Sequence, residues 1–422
     1  MPAHVKQTAT NEYTASDIVE LHGHIIDSLL LPKIMDEILT RGGIYELQEI
    51  NVGMKPTDAS YAKIKVLAKS TSELEDILEV IHDHGATAIS PEDAGIEPAD
   101  MDGAFPEAFY STTNHQTQIR LKGKWVDIAD QEMDCGVTVD ATTGKARCVP
   151  MLDVKKGMPM VVGHRGIRVQ AAEAAHHKGL FEFMSSPVSS EKPKGVTVRE
   201  IAGAMRRAKA EKKKILAVLG PAVVHTGGVE HLCALIEMGF LDILFAGNAL
   251  ATHDIEQSMF GTSLGISMDK GVPTDEGHEH HLRAINKIRR AGGIKGAVEK
   301  GILKSGIMYE CVKHNIPYVL AGSVRDDGPL TDVVTDAVVA QNLMRDHVRG
   351  GIGFCLMVAT ALHSIATGNL LPANVKVACI DINPATVTKL MDRGSSQTVG
   401  IVTDVEPFLR EIVAELRKGS GA

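Results

Sequence analysis

Five consecutive apolar residues, Ile215-Leu-Ala-Val-Leu219, run straight into Gly220-Pro-Ala222 and, past His225, into Thr226-Gly-Gly228. A strand with no polar face must be covered on both sides, the condition of a strand inside a parallel sheet with helices packed on each face. The pattern recurs. Apolar strands are predicted at 241–246, 318–321, 353–358 and 375–382, with helical stretches between them and a helix at 198–213 before the first strand. Such alternation specifies a doubly wound α/β sheet, whose ligand crevice lies beyond the carboxyl ends of its strands. Gly220 and Pro221 turn the chain there, and Gly227 and Gly228 would let backbone N–H groups approach a phosphate. No G-x-G-x-x-G follows the strand, so the segment points to a dinucleotide without the Rossmann fingerprint.

Two other regions precede this one. Residues 17–89 read as strand 19–26, helix 30–40, strands 45–52 and 61–68, helix 72–84 and strand 87–89. Leu74, Ile77, Leu78 and Ile81 fall on one helical face behind the capping residues Thr71 and Ser72. That β-α-β-β-α-β order is the ferredoxin-like arrangement. From 91 to 193 the signal changes to short alternating runs at 118–121, 124–128, 136–140, 147–152 and 160–162, broken by Gly and Pro, which indicates a small β-rich domain. The polar, Pro- and Ser-rich stretch 185–195 reads as a linker. The expected division is therefore 15–90, 91–193 and 196–422, α/β overall.

A length of 422 residues exceeds what one core serves, and a net charge of −9 without a basic patch argues against a nucleic-acid partner. No apolar run approaches a membrane span and the start is polar, so a cytoplasmic location is expected. The six cysteines are widely spaced, without a C-x-x-C pair, and Cys135 fits a buried thiol better than a nucleophile. His278 and His281 share a helical face in Gly277-His-Glu-His-His281, but no third ligand stands at a zinc spacing, so no metal is expected.

The residues after each predicted strand carry the chemistry: Gly220-Pro-Ala222, Gly247-Asn-Ala249, the loop 322–332, His363-Ser-Ile-Ala-Thr-Gly-Asn369 and Asp381-Ile-Asn-Pro-Ala385. Glycine permits close approach, Asn both donates and accepts, and a carboxylate accepts from ribose hydroxyls or ammonium groups. Residues 212–416 resemble the NAD-binding fold of deoxyhypusine synthase through these segments, through Asp327-Gly-Pro-Leu-Thr-Asp332 and through Asp404 after the final strand. Carried over, Asp327, Asn383, Ala385 and Asp404 contact NAD, alongside the glycine-containing turns, while Asp332 and His363 face the amine substrate. The acceptor lysine of that family has no counterpart in Leu390-Met-Asp-Arg-Gly-Ser-Ser396, which removes the nucleophile needed for transfer to a protein amine.

The amino-terminal half resembles the lysine-ketoglutarate reductase/saccharopine dehydrogenase conserved region through Glu92-Asp-Ala-Gly95, Phe109-Tyr-Ser-Thr-Thr-Asn-His-Gln-Thr117, Gly123-Lys-Trp-Val126 and Glu132-Met-Asp-Cys-Gly136. The two halves joined resemble the archaeal-type NAD-dependent ornithine cyclodeaminases. The resemblance implies that L-ornithine loses hydride from Cα to NAD+, closes on its own δ-amine, releases ammonia and is reduced to L-proline by the same cofactor; it also implies a homo-oligomer, dimer or tetramer. Asp332 is then the acceptor of the δ-ammonium proton, or else a helix cap. Asp332→Asn should keep NAD bound and lose most activity. Arg165 in Gly163-His-Arg-Gly-Ile-Arg168, or Arg325, suits the α-carboxylate, Asn114 and His115 come in through the family motif, and His363 or His225 titrates in the range needed for departing ammonia. An NAD-dependent amino-acid dehydrogenase and a non-catalytic NAD or amino-acid sensor are the other readings.

Overall fold

The computed structural model describes residues 12–23, 25–26, 29–54, 58, 60–83, 86–88, 92–169, 194–264, 266–267, 277–326, 328–393 and 398–418. The chain divides into two compact units, Met1–Lys178 with Leu371–Ala373, and Gly179–Leu370 with Asn374–Ala422.

The first unit opens with β1 (Ala15–Gly23), α1 (Leu30–Thr40), β2 (Ile44–Asn51), β3 (Ser60–Ala68), α2 (Thr71–Asp83) and β4 (Thr87–Ala88). Their sheet is antiparallel in the order β2-β3-β1-β4, the ferredoxin-like topology. Strict alternation produces it: Ala62, Ile64 and Val66 of β3 are fully buried beneath Ile34 and Ile38 of α1 and Ile77 and Ile81 of α2. A seven-stranded sheet follows, built from β5 (Gly95–Pro98), β6 (Thr117–Leu121), β7 (Lys124–Ala129), β8 (Gly136–Val139), β9 (Ala146–Val149), β10 (Pro159–Val162) and β11 (Ile167–Val169), in the order β11-β6-β7-β9-β8-β10-β5. The strand expected at 147–152 stops at Val149, because Pro150 brings no N–H to the ladder and the chain enters a 3-10 turn over Met151–Asp153. The two strands not anticipated, β5 and β11, are the sheet's edges. β5 is exposed throughout and carries no burial pattern, while β11 buries Ile167 and Val169 but is too short, at three residues, to show an alternation in the sequence.

The second unit runs α3 (Lys194–Ala210), β12 (Lys214–Leu219), α4 (Ala222–His225), α5 (Val229–Glu237), β13 (Ile243–Gly247), α6 (Asn248–Phe260), β14 (Thr262–Ser263), β15 (Ile266–Ser267), α7 (Gly277–Ala291), α8 (Ile294–Glu299), α9 (Ile307–Lys313), β16 (Tyr318–Ala321), β17 (Val333–Val334), α10 (Ala337–Arg349), β18 (Ile352–Val358), α11 (Leu362–Leu370), β19 (Lys376–Asp381), α12 (Pro384–Arg393), β20 (Thr398–Val402) and α13 (Val405–Lys418). Seven strands form one parallel sheet in the order β17-β16-β13-β12-β18-β19-β20. Ile215 to Leu219 are at most 1% exposed, so each large side chain of β12 contributes about 1.5 to 3 kcal/mol of burial. Strand order reverses between β12 and β18, the position at which a doubly wound sheet opens its crevice. One correction concerns 363–369: these residues are not a strand-end loop but most of helix α11, the crossover from β18 to β19. Residues 185–193 of the expected linker lie outside the described residues. Among the described residues no helix is long and apolar enough to cross a membrane.

Candidate active site

At the reversal the two strand ends touch backbone to backbone. Gly220 N–H donates to Val358 O at 2.9 Å, and a Cβ on Gly220 would stand 1.8 Å from Ala359 O. Ala359 itself turns the chain in the left-handed region, φ 52, where an L-residue is strained by about 1 kcal/mol. Pro221 and Ala222 then open α4. Gly227 and Gly228, expected to present N–H groups to a phosphate, are used otherwise: they donate to Val224 O at 3.0 Å and Val223 O at 2.8 Å, joining α4 to α5.

On the next strand, Gly247 leads into Asn248 and Ala249 at the start of α6. The Asn248 side chain is buried and fully engaged. Its Nδ2 donates to Asp326 Oδ1 (3.2 Å), while its Oδ1 accepts from Leu330 N–H (3.1 Å) and Thr252 Oγ1 (3.3 Å). Asp326 Oδ2 accepts from Ser323 N–H at 2.8 Å, so the loop after β16 is tied down at both ends. His363, from the first turn of α11, lies against Gly247: a Cβ there would be 3.0 Å from its Cε1. Burial pushes the His363 pKa below the ordinary histidine value, and the Asp326 carboxylate pulls it partly back. In the same helix the hydroxyls of Ser364 and Thr367 are buried and find no hydrogen-bond partner among the described residues.

Across β18, β19 ends in Asp381, whose Oδ1 accepts from Asn383 N–H (2.8 Å); Asn383 Oδ1 in turn accepts from Ala385 N–H (3.0 Å), capping α12. Thr403 N–H donates to Asp381 O at 3.1 Å, which brings β20 and the exposed Asp404 beside it. Asp327 lies outside the described residues.

Other candidates are placed differently. Asp332 sits just before β17, with Oδ2 accepting from Ile294 N–H (3.0 Å) at the start of α8 and Oδ1 from Tyr318 OH (3.2 Å) at the start of β16. It therefore stands toward the amino ends of these strands, away from the crevice, as a helix cap. Asp332→Ala is accordingly expected to cost about 1 to 2 kcal/mol of stability, measured by urea denaturation, with kcat of the folded enzyme unchanged. His225 bonds Ser263 Oγ (2.6 Å) and packs at 4.8 Å on His253, itself bonded to the fully buried Glu256 (3.1 Å). Burial and the neighbouring His253 hold its pKa low.

In the first unit Asn114 is buried and its carbonyl accepts from Ala373 N–H at 2.7 Å; the His115 ring is largely enclosed, its Nδ1 has no hydrogen-bond partner among the described residues, and burial lowers its pKa. Arg165 is exposed and paired with Glu92 at 3.2 Å, a surface ion pair rather than a preorganised carboxylate clamp. The Cys135 thiol is buried against Glu132 Oε1 (3.0 Å). His280, in the His-rich helix start, bonds Thr262 Oγ1 at 2.8 Å and stacks on Phe260. Three residues central to the site carried no strong sequence mark. Asp326 stood unremarked in a loop of similar polar residues, Ala359 has a conformation alanine does not advertise, and Asp381 was one acid among several near strand ends.

Residues 199–412 match the family described as arginine dihydrolase ArgZ-like, C-terminal, Rossmann fold; 116–198 match its first C-terminal region, and 16–115 match the LOR/SDH bifunctional enzyme conserved region. The chain is 53% identical to the ornithine cyclodeaminase of Methanocaldococcus jannaschii over 95% of its own length and 96% of that protein. A crystal structure of a conserved LOR/SDH protein from Methanococcus maripaludis superimposes with a TM-score of 0.74 at 48% identity, covering 78% of this chain and 99% of that one. The ternary complex of AgrE with ornithine and NAD+ is 41% identical, with a TM-score of 0.53 over 97% of this chain and 58% of that one; AgrE is the bifunctional arginine dihydrolase/ornithine cyclodeaminase of a Nostoc species.

Proposed function

This chain belongs to the family of the ornithine cyclodeaminases, and from that premise we propose that it converts L-ornithine to L-proline and ammonia with NAD as a recycled cofactor. The observation that carries the reading is His363 seated against Gly247 at the carboxyl edge, beside the switch point where Gly220 meets Ala359. The site fits a dinucleotide: small residues line the reversal, carboxylates and Asn stand at the tips of β19 and β20, and the buried Ser364 hydroxyl has no partner among the described residues. The turns at 220–222 and 247–249, with Asn383, Ala385 and Asp404, are the residues that would hold it; Asp327 is added by resemblance. Bound NAD+ supplies a hydride acceptor for the ornithine Cα–H and the donor that reduces the cyclised imine.

The chain's own residues handle protons and position. His363, kept neutral by burial, accepts a proton from the substrate ammonium and returns it to the departing nitrogen. Ring closure requires no protein nucleophile, because the δ-amine is tethered to the carbon it attacks. That agrees with a sequence lacking an acceptor lysine at 390–396. Asn248 holds Asp326 in place, and Asp326 sets the basicity of His363 through its charge. Asp326→Asn removes the influence that raises the His363 pKa. The acid limb of kcat/KM, which reports the loss of neutral His363, should therefore move to lower pH; an unmoved limb would assign it to another group. Asn114 and His115 are proposed ornithine contacts on the strength of their motif.

The protein is further proposed to be a cytoplasmic homo-oligomer. The six cysteines form no disulfide with one another, which suits a reducing compartment, and the exposed Val338, Val339 and Leu343 of α10 offer an apolar surface to a second copy. The function is tested by incubating excess L-ornithine with a small amount of NAD+. Proline and ammonia forming in equal amounts, well beyond the NAD+ supplied, support it; NADH accumulating without proline makes the protein a dehydrogenase.

A further inference from the structure

We propose that the cavity enclosed by α5, α6, α9 and α13 is a second ligand site, which takes a linear aliphatic diamine with one ammonium group against Asp254 and Gln257 and the other against Glu237. The site goes beyond the reaction. None of the residues assigned to the cofactor or to ornithine lines it, so it stands whatever the chain catalyses.

The cavity measures about 710 Å³, within the size range of small-molecule sites. Helix α6 supplies its inner wall. Asp254 there is 1% exposed, and its two carboxylate oxygens accept from Ile307 and Met308 N–H, both at 2.8 Å, at the start of α9. No cation among the described residues pairs with it. An ionised carboxylate taken out of water is costly unless a positive charge accompanies it, and burial accordingly pushes the Asp254 pKa up to about 7. Three residues on, Gln257 lines the same cavity, and its Oε1 is buried with no hydrogen-bond partner among the described residues. A carboxylate without a counter-ion and a carbonyl without a donor are both met by one ammonium group, which carries a positive charge and three N–H donors.

The outer wall extends the same preference. Glu230 and Glu237 stand on one face of α5, seven residues and about 10 Å apart along the helix axis. Burial, and then the Asp254, Glu310 and Glu237 carboxylates, push the Cys233 thiol up to about 12, so three of the acids act on one point of the wall. Glu310 is balanced by Lys313 and His314, each at 3.1 Å, and Glu230 has His231 at 3.6 Å. Glu237 is left without a cationic partner among the described residues, as Asp254 is. Arg417, exposed in the last turn of α13, is the one arginine or lysine of the lining and is outnumbered by the acids. Among the described residues no three acids, histidines or cysteines converge closely enough to hold a metal ion, so an extended cation with two charges suits this wall better than a divalent metal.

Isothermal titration of the purified chain with 1,5-diaminopentane, and with 1-aminopentane as the single-charge control, tests the site alongside the KM for ornithine. The wild type should bind one diamine per chain, more tightly than the monoamine. Asp254→Asn should weaken the diamine roughly tenfold or more, the worth of a hydrogen bond to a buried charge. Because Asp254 also caps α9, the test is carried by Gln257→Met and Glu237→Gln, which leave that cap intact. Each should weaken the diamine by up to about fivefold, the worth of an exposed polar contact, with melting temperature and ornithine KM unchanged. Diamine affinity unchanged in both variants, a monoamine bound as tightly as the diamine, or no binding to the wild type overturns the site. Diamine binding that is intact in a chain unable to make proline refutes the proposed function alone.

Discussion

Replacing His363 with Gln should lower the rate of proline formation by about 10²- to 10⁴-fold, the usual worth of a positioned acid or base, while NAD+ affinity measured by calorimetry stays within a few-fold. Glutamine approximates the imidazole in size and hydrogen-bonding reach, so the contact with Gly247 survives the change and only proton transfer is lost. The magnitude follows from the number of proton movements assigned to one group: ammonium to neutral amine before ring closure, and amine to departing ammonia afterwards. Burial favours the neutral ring, and the Asp326 carboxylate stabilises its protonated form when it is needed. Activity should fall as pH drops through the His363 pKa, which lies below that of an exposed histidine. Near-wild-type turnover in the Gln variant would remove His363 from the chemistry.

The second large effect is steric. Gly220→Ala places a methyl group 1.8 Å from Ala359 O, and the obstacle is backbone that no rotamer change can clear. Accommodation requires β12 and β18 to part at their tips and to break the Gly220 N–H to Val358 O bond. We expect a loss of about 3 kcal/mol or more in urea denaturation and the disappearance of NAD+ binding. Gly203→Ala supplies the control. Gly203 lies inside helix α3, where an added Cβ comes no closer than 3.4 Å to the end of the Arg207 side chain, and the change should stabilise by up to about 1 kcal/mol. Equal, small effects at both positions would mean the strand tips are more tolerant than their contact implies.

The contrast between these residues explains what could be read from the sequence. Continuous apolar runs exposed the central strands because a strand buried on both faces has no room for polar residues, and β12, β13, β16, β18 and β19 all follow that rule. Edge strands obey no such pattern: the two residues of β17 and the exposed β5 left no signature. The miss at β17 propagated to chemistry. With no strand recognised at 333–334, Asp332 read as part of the same strand-end loop as Asp326, although the chain has by then descended toward the amino side of the sheet, where Asp332 caps α8. Similarly, Ser364, Thr367 and Gly368 suggested a loop because they are small, whereas they are small residues of a crossover helix. His363 and Asn248 were legible because each immediately follows or begins an element at the crevice. Ala359 was not, since an alanine held at positive φ is a property of its surroundings.

The central claim is that the hydride leaving Cα of ornithine returns to the same molecule after it has closed on itself. L-Ornithine deuterated at Cα, turned over with a trace of unlabelled NAD+ and analysed by mass spectrometry and proton NMR, tests this directly. The account predicts L-proline that keeps its deuterium at C2, with no NADH accumulating. Proline carrying solvent hydrogen at C2, or deuterium recovered in free NADH beside a keto acid, would contradict it.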